Sequence, residues 1–141
     1  MTFTIVKVGP YQVGGLVVPG AAPGVLGPAA DLMNFTLERL RERGVGDITV
    51  VYVRHPEAGW SAVAGYRCDN IDELTIGDSL VRVSETYAAR FVPEGGSSDR
   101  CEDLWDQVEA ADKRGEITRA FTEEILVLPE RGEADLYVSL R

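Results

Sequence analysis

The sequence predicts an α+β fold: an antiparallel sheet built from pseudo-symmetric tandem strand-helix-strand-strand repeats, with two helices on one face and the other face free of helices. Only two helical patterns occur among eight strand-like segments, whereas a doubly wound parallel sheet needs a crossover helix after nearly every strand. The chain also repeats itself. Pro56-Glu57-Ala58-Gly59 recurs as Pro129-Glu130-Arg131-Gly132, each time between strand-like segments, and Tyr11-Gln12-Val13 leading to Val18-Pro19-Gly20 is echoed by Tyr87-Ala88-Ala89 leading to Val92-Pro93-Glu94-Gly95. Finally, 141 residues suit one domain of 1–141, with repeat one over about 1–74 and repeat two over about 75–141, a size that buries about 70% of the unfolded surface without staples.

Taken in order, Phe3 to Val8 and Tyr11 to Val18 read as strands, rich in β-branched and aromatic residues. The stretch between Lys7 and Asp31 is uncharged, but its glycines and prolines cannot form a continuous apolar helix, so it is read as strand and loop rather than signal peptide or membrane span. It also lacks the spacing of a P-loop or a dinucleotide fingerprint. A helix is expected from about Pro28 to Arg43, with proline in the first turn, Met33, Leu37 and Leu40 at helical spacing and Gly44 as the stop. Ile48 to Val53 and Trp60 to Arg67 follow as strands. The acidic run Asp69 to Glu73 is a solvated linker without the glycine and final glutamate of a calcium loop. Leu80 to Val83 and Tyr87 to Val92 are strands, and a second helix begins near Asp99, where Asp99 and Glu102 have capping-box spacing. Cys101, Leu104, Trp105 and Val108 form its apolar stripe, which makes Trp105 a core residue, and Gly115 ends it. Ile125 to Leu128 and Ala134 to Leu140 complete the set.

Composition narrows the function. Twenty-three acidic against fourteen basic side chains give a formal net charge of −9, which repels a phosphate backbone and favours cationic partners over nucleic acid. Cys68 and Cys101 lack metal-ligand spacing and suit a reducing, cytoplasmic compartment rather than a disulfide scaffold. The single histidine, His55, precedes Pro56 in a turn, which leaves no helical His pair for zinc, weakens a Ser-His scheme and places haem binding below the other readings. No cofactor, metal or membrane contact is expected.

The last strand alternates: Ala134, Leu136, Val138 and Leu140 form an apolar face that must meet a helix, while Asp135, Tyr137 and Ser139 face the other way. A carboxylate beside an aromatic ring there could attract a desolvated cation. The plainer reading is an exposed sheet face with an ordinary aspartate. Aligning Pro56 with Pro129 places Ala62 opposite Asp135 and Ala64 opposite Tyr137. Trp60, Ala62, Ala64 and Tyr66 then share the groove face, with small residues between large aromatics. Trp60 and Tyr66, like Tyr87 and Phe91 on one face of their strand, are either groove walls or plain sheet packing.

Gly9-Pro10-Tyr11, Ala64-Gly65-Tyr66 leading into Asp72-Glu73-Leu74, Thr86-Tyr87-Ala88, Asp103-Leu104-Trp105 and Asp135-Leu136-Tyr137-Val138 occur in an order that resembles the GyrI-like (gyrase-inhibitor-like) small-molecule-binding domains, also found as effector-binding domains of AraC-type and MerR-type bacterial regulators. The resemblance covers nearly the whole chain. It implies a curved sheet with a concave ligand groove lined by aromatics around an acidic residue, receiving hydrophobic or cationic small molecules. The family's final-strand pattern, Glu-aliphatic-aromatic-aliphatic-Pro, maps onto Asp135, Leu136, Tyr137, Val138 and Ser139. Aspartate is one methylene shorter than the family's glutamate, and Ser139 replaces its proline. Glu123 and Glu124 could supply a second carboxylate. Asp135, Tyr137, Trp60, Tyr66, Tyr87 and Phe91 are therefore the expected ligand-binding residues of a stand-alone binding module, with no segment left for a DNA-binding domain. The resemblance also admits a hydrolase that opens strained cyclopropane rings, with Asp135 and Tyr137 as catalytic groups, and a module acting on a protein partner such as gyrase. The sequence sets no oligomeric state.

Overall fold

A computed structural model of the chain describes residues 3–24, 27–94 and 99–141. Its elements are β1 (Phe3–Val8), β2 (Tyr11–Pro19), α1 (Pro28–Glu42), β3 (Ile48–His55), β4 (Gly59–Cys68), β5 (Ser79–Val83), β6 (Thr86–Phe91), α2 (Arg100–Lys113), β7 (Arg119–Leu128) and β8 (Asp135–Leu140). The strands form one antiparallel sheet in the order β1-β6-β8-β7-β3-β4-β2-β5. The two expected units are therefore present: β2-α1-β3-β4 and β6-α2-β7-β8, joined where β3 pairs with β7 at the centre.

Each half lends a strand to the other. β1 precedes β2 in the chain but pairs with β6, and β5 precedes β6 but pairs with β2. In a flat sheet, six strand spacings would put β1 about 29 Å from β2, whereas the two-residue connection Gly9-Pro10 spans only about 10 Å. The sheet must therefore curl until its edges approach. The two short connections meet on the concave side: Gly9 has a φ of +76°, and a Cβ there would lie 2.8 Å from the Ser84 carbonyl oxygen. Only glycine fits this conformation and contact.

Both helices lie on the convex face. Met33 and Leu40 of α1 and Leu104 and Val108 of α2 share one core with Val50, Ala62, Ala64, Phe91, Leu126, Leu136 and Val138. A smaller concave-side cluster holds Val8, Val13, Val51, Val83, Ala88 and Ile125. The alternation of β8 thus sorts as its sequence predicts, with Leu136 and Val138 beneath the helices. Helix ends also follow their signals. Pro28 starts α1 and Gly44 follows its C-cap with a φ of +70°, while the Asp99 carboxylate accepts from the N–H groups of Cys101 at 2.9 Å and Glu102 at 3.3 Å. His55 stays a turn residue: its Nδ1 accepts from the N–H groups of Glu57 and Ala58, both at 3.2 Å.

Two elements differ from expectation. The acidic linker contains a 3-10 turn, Ile71–Glu73, started by the Asn70 side chain accepting from the Asp72 N–H at 3.0 Å. β7 begins at Arg119, six residues before the apolar run that announces it, because its register against β8 shifts between Arg119 and Glu124. Within that irregularity Phe121 has a φ of 56°.

Candidate functional site

The curled sheet and the crossing connections enclose a cavity of about 710 Å³ on the helix-free face, lined by Lys7, Tyr11, Thr49, Arg67, Val127 and Tyr137 among others. Further along the β2–β4 ladder from the lining residues Tyr66 and Arg67, Gly15 opposes Gly65, and a Cβ on Gly65 would stand 1.8 Å from the Gly14 carbonyl oxygen. Glycine here lets the two backbones close together as the sheet bends.

Tyr11 and Tyr137 wall the cavity together with Tyr66. The Arg67 guanidinium lies 4.0 Å from the centroid of the Tyr11 ring, a cation-π contact that holds the side chain over the opening. Burial raises the Tyr11 phenol, Arg67 opposes the shift, and the nearby Tyr137 and Glu123 add to it. Burial, then the charge of Asp135, raises the Tyr137 phenol as well. Both hydroxyls remain protonated donors at neutral pH.

Behind Tyr137 lies a small polar network. The Tyr137 hydroxyl donates to Asp135 Oδ2 at 3.2 Å, and Arg90 donates to the same oxygen through Nε at 3.3 Å and Nη2 at 3.0 Å. The charge of Asp135 is thus already answered within the chain. Glu123 is different. It pairs with Val53 in the ladder and faces the concave side, where burial raises its carboxyl above the ordinary range and a hydrogen bond from the Ser84 backbone partly offsets the rise. One of its carboxylate oxygens is buried with no hydrogen-bond partner among the described residues. Its neighbour Glu124 faces the helices and is fully buried; Arg119 donates to it through Nε at 2.9 Å. Burial pushes the Glu124 carboxyl up and Arg119 pulls it back. Because strand residues alternate, this internal ion pair fixes β7 so that Glu123 points into the concave side.

Asp135 and Tyr137 are brought together at this site, but the other expected groove residues are not. Phe91 is fully buried in the helix-side core, 5.4 Å from the Phe3 ring. Tyr87, two turns of alternation away on the same strand face, is 62% exposed and apart from the cavity. Trp60 packs against the helix-side core with Ala62 and Ala64. Tyr66 borders the cavity, but its hydroxyl is committed: it donates to Asp78 at 2.8 Å and accepts from the Thr75 N–H at 2.8 Å.

The error has one physical source. Val51 pairs with both Val63 and Ile125, and Ile125 pairs with Tyr137. Val63 therefore holds the place of Tyr137, and Ser61 that of Asp135. The loop before β8 is longer than the turn before β4, so matching Pro56 to Pro129 slips the alignment by one residue, which turns every side chain to the opposite face. Sequence reasoning also passed over Arg67, Arg90 and Tyr11, and left Glu123 undistinguished from Glu124. The Gly9-Pro10-Tyr11 start was the available signal for Tyr11.

No protein-family model matches the chain, and no curated protein matches it in sequence. Solved structures do match in fold. SAV2435 bound to tetraphenylphosphonium superposes with a TM-score of 0.73 at 10% identity, covering 100% of this chain and 94% of that one. The integron cassette protein VCH_CASS2 from the mobile metagenome of Vibrio cholerae gives 0.75 at 15% identity, covering 99% and 96%. A Staphylococcus aureus protein assigned provisionally to bacterial transcription regulation gives 0.72 at 8% identity, covering 100% and 99%. The chain shares the complete fold of these structures from end to end.

Proposed function

We propose that this chain is a GyrI-like small-molecule-binding module whose concave cavity receives lipophilic, aromatic compounds bearing a cationic group. The observation that carries the reading is a tyrosine-walled cavity with a carboxylate on the same face, Glu123, which lies outside the cavity's lining but close enough to Tyr11 to raise its phenol, and one oxygen of which has no partner among the described residues. A buried unsatisfied carboxylate is costly, and a desolvated cation approaching it would offset that cost. The tetraphenylphosphonium bound to SAV2435, a protein of the same fold, supports the choice of ligand class. In this reading Tyr11 and Tyr137 stack against the ligand and Glu123 is the principal counter-ion. Asp135 contributes through Tyr137, since Arg90 already neutralises it.

The test is a thermal shift with tetraphenylphosphonium, against tetraphenylborate as an anion of the same shape and triphenylphosphine oxide as a neutral control. At a hundredfold excess over Kd a bound ligand stabilises by about 2.7 kcal/mol, which raises Tm by several degrees. A rise with the phosphonium alone supports the reading; equal rises with all three remove the counter-ion, and none with any removes the groove as a site for this class.

Hydrolysis is the second reading, favoured by the phenol of Tyr137 hydrogen-bonded to Asp135 beside the cavity. Recovery of a cyclopropane-bearing substrate unchanged after long incubation rejects it, and a water-added product establishes it.

A further inference from the structure

The helix layer does not close over the middle of the sheet. α1 rests on β2 and β4 and α2 on β6 and β8, leaving central strands β3 and β7 beneath a cleft of about 420 Å³ on the face opposite the groove. Its walls are Met33 and Leu37 of α1 and Trp105 of α2, and its floor is Tyr52 of β3 with Leu126 and Leu128 of β7. Trp105, expected to be plain core, is therefore half-buried at a cavity wall, where its ring meets Tyr52 edge-on at 5.7 Å.

Two features give this cleft a chemistry. Tyr52 is only 7% exposed, and its hydroxyl has no hydrogen-bond partner among the described residues. Burial pushes that phenol up to about 12, so it stays a protonated donor, open to an acceptor within the cleft it lines. In addition, among the described residues the charged ones lining the cleft are acidic: Asp99, Glu102 and Asp106. Asp99 is occupied in capping α2. Glu102 and Asp106 lie one turn apart on α2, where like charges repel each other and favour a shared cation.

We infer that the cleft between the helices is a second small-molecule site, for a lipophilic ammonium ion whose apolar body carries an oxygen acceptor. The body lies between Met33, Leu37 and Trp105, the acceptor meets the Tyr52 hydroxyl on the floor, and the ammonium reaches Glu102 and Asp106 at the rim. This site is independent of the groove, from which the sheet separates it.

The probe is 4-methoxyphenethylammonium, compared with 4-ethylphenethylammonium, which lacks the acceptor, and 3-(4-methoxyphenyl)propionate, which reverses the charge. Replacing Trp60 by phenylalanine leaves Trp105 as the only tryptophan, so its emission reports the cleft directly. The expected result is a saturable change with the methoxy ammonium, about two- to fivefold tighter than the propionate. The double substitution Glu102→Gln, Asp106→Asn should erase that preference, Tyr52→Phe should make the methoxy and ethyl compounds equal, and the groove variant Glu123→Gln should change neither. If Trp60→Phe does not fold, amide shifts in the wild-type protein serve instead, with movement at Leu37, Tyr52 and Leu126 but not at Tyr11 or Tyr137. Absence of saturation, equal binding of the anion, or loss of binding in Glu123→Gln would overturn the assignment.

Discussion

At the scale of single residues, two carboxylates on the concave side differ in what they can still do. Asp135 has Arg90 and the Tyr137 hydroxyl as partners, while Glu123 has an oxygen with none among the described residues. Glu123→Gln should therefore weaken tetraphenylphosphonium more than Asp135→Asn does, measured by titration calorimetry; the opposite order would return the counter-ion role to Asp135. Protons make a second test. The folded state raises the Glu123 carboxyl, so it favours the protonated form and loses stability as pH climbs from the ordinary carboxylate range through the raised value. Glu123→Gln should accordingly gain Tm over wild type near neutrality and little or nothing at pH 4. Cation affinity in the wild type should rise over the same window, and neutral ligands should show no such slope. Asp78 works with the reverse sign. Burial alone would raise it, but hydrogen bonds from Arg43 and Tyr66 outweigh burial and hold it low, so its contribution is present above the ordinary range and is lost as pH falls.

At the scale of elements, β7 carries the largest departure from its sequence pattern and also aims a candidate ligand-binding residue. Arg119 and Glu124 are close in sequence and bonded on the helix side, and the irregular stretch between them lets the strand rejoin β8 with Glu123 inward. Removing Glu124 leaves the buried Arg119 with the exposed and more distant Glu109 carboxylate, at 3.5 Å, in place of its buried partner, and Glu124→Ala should cost about 3 kcal/mol in urea denaturation, the lower end for a broken buried pair. A loss below 1 kcal/mol would show that Arg119 finds solvent or another partner. The α2 cap is more ordinary. Asp99→Ala removes the acceptor for two N–H groups and should cost about 1 kcal/mol. Because Asp99 also borders the cleft between the helices, groove ligands should bind that variant as they do the wild type.

At the scale of the whole molecule, the exchange of β1 and β5 between halves creates the cavity, since the crossing connections close a space that an uncurled sheet would leave open. Gly9 sits at the crossing against Ser84. Gly9→Ala combines an unfavourable φ with a backbone clash, and it should lower stability by about 1 to 3 kcal/mol and weaken groove ligands at the same time. A variant that kept both would mean that the connections can separate without cost to the cavity. Gly65→Ala attacks the bend instead, and with its added carbon 1.8 Å from a carbonyl oxygen, the backbones of β2 and β4 would have to part. Its unfolding transition should broaden or disappear.

The sequence by itself determined the class of fold, the two helices with their ends, the eight strands and the apolar face of β8, because caps, stops and two-residue alternation are local properties of the chain. It also brought Asp135 and Tyr137 to one face for the same reason. Tertiary structure decided the rest. Which face Trp60 and Ala62 occupy depends on pairing across strands far apart in sequence, where a loop of different length shifts the register by one and reverses every side chain. Whether Asp135 is free depends on Arg90, a neighbour only through the β6–β8 ladder. The inward turn of Glu123, the wall formed by Tyr11 and the cleft beside Tyr52 likewise arise from pairings and packing between distant segments, which no local pattern encodes.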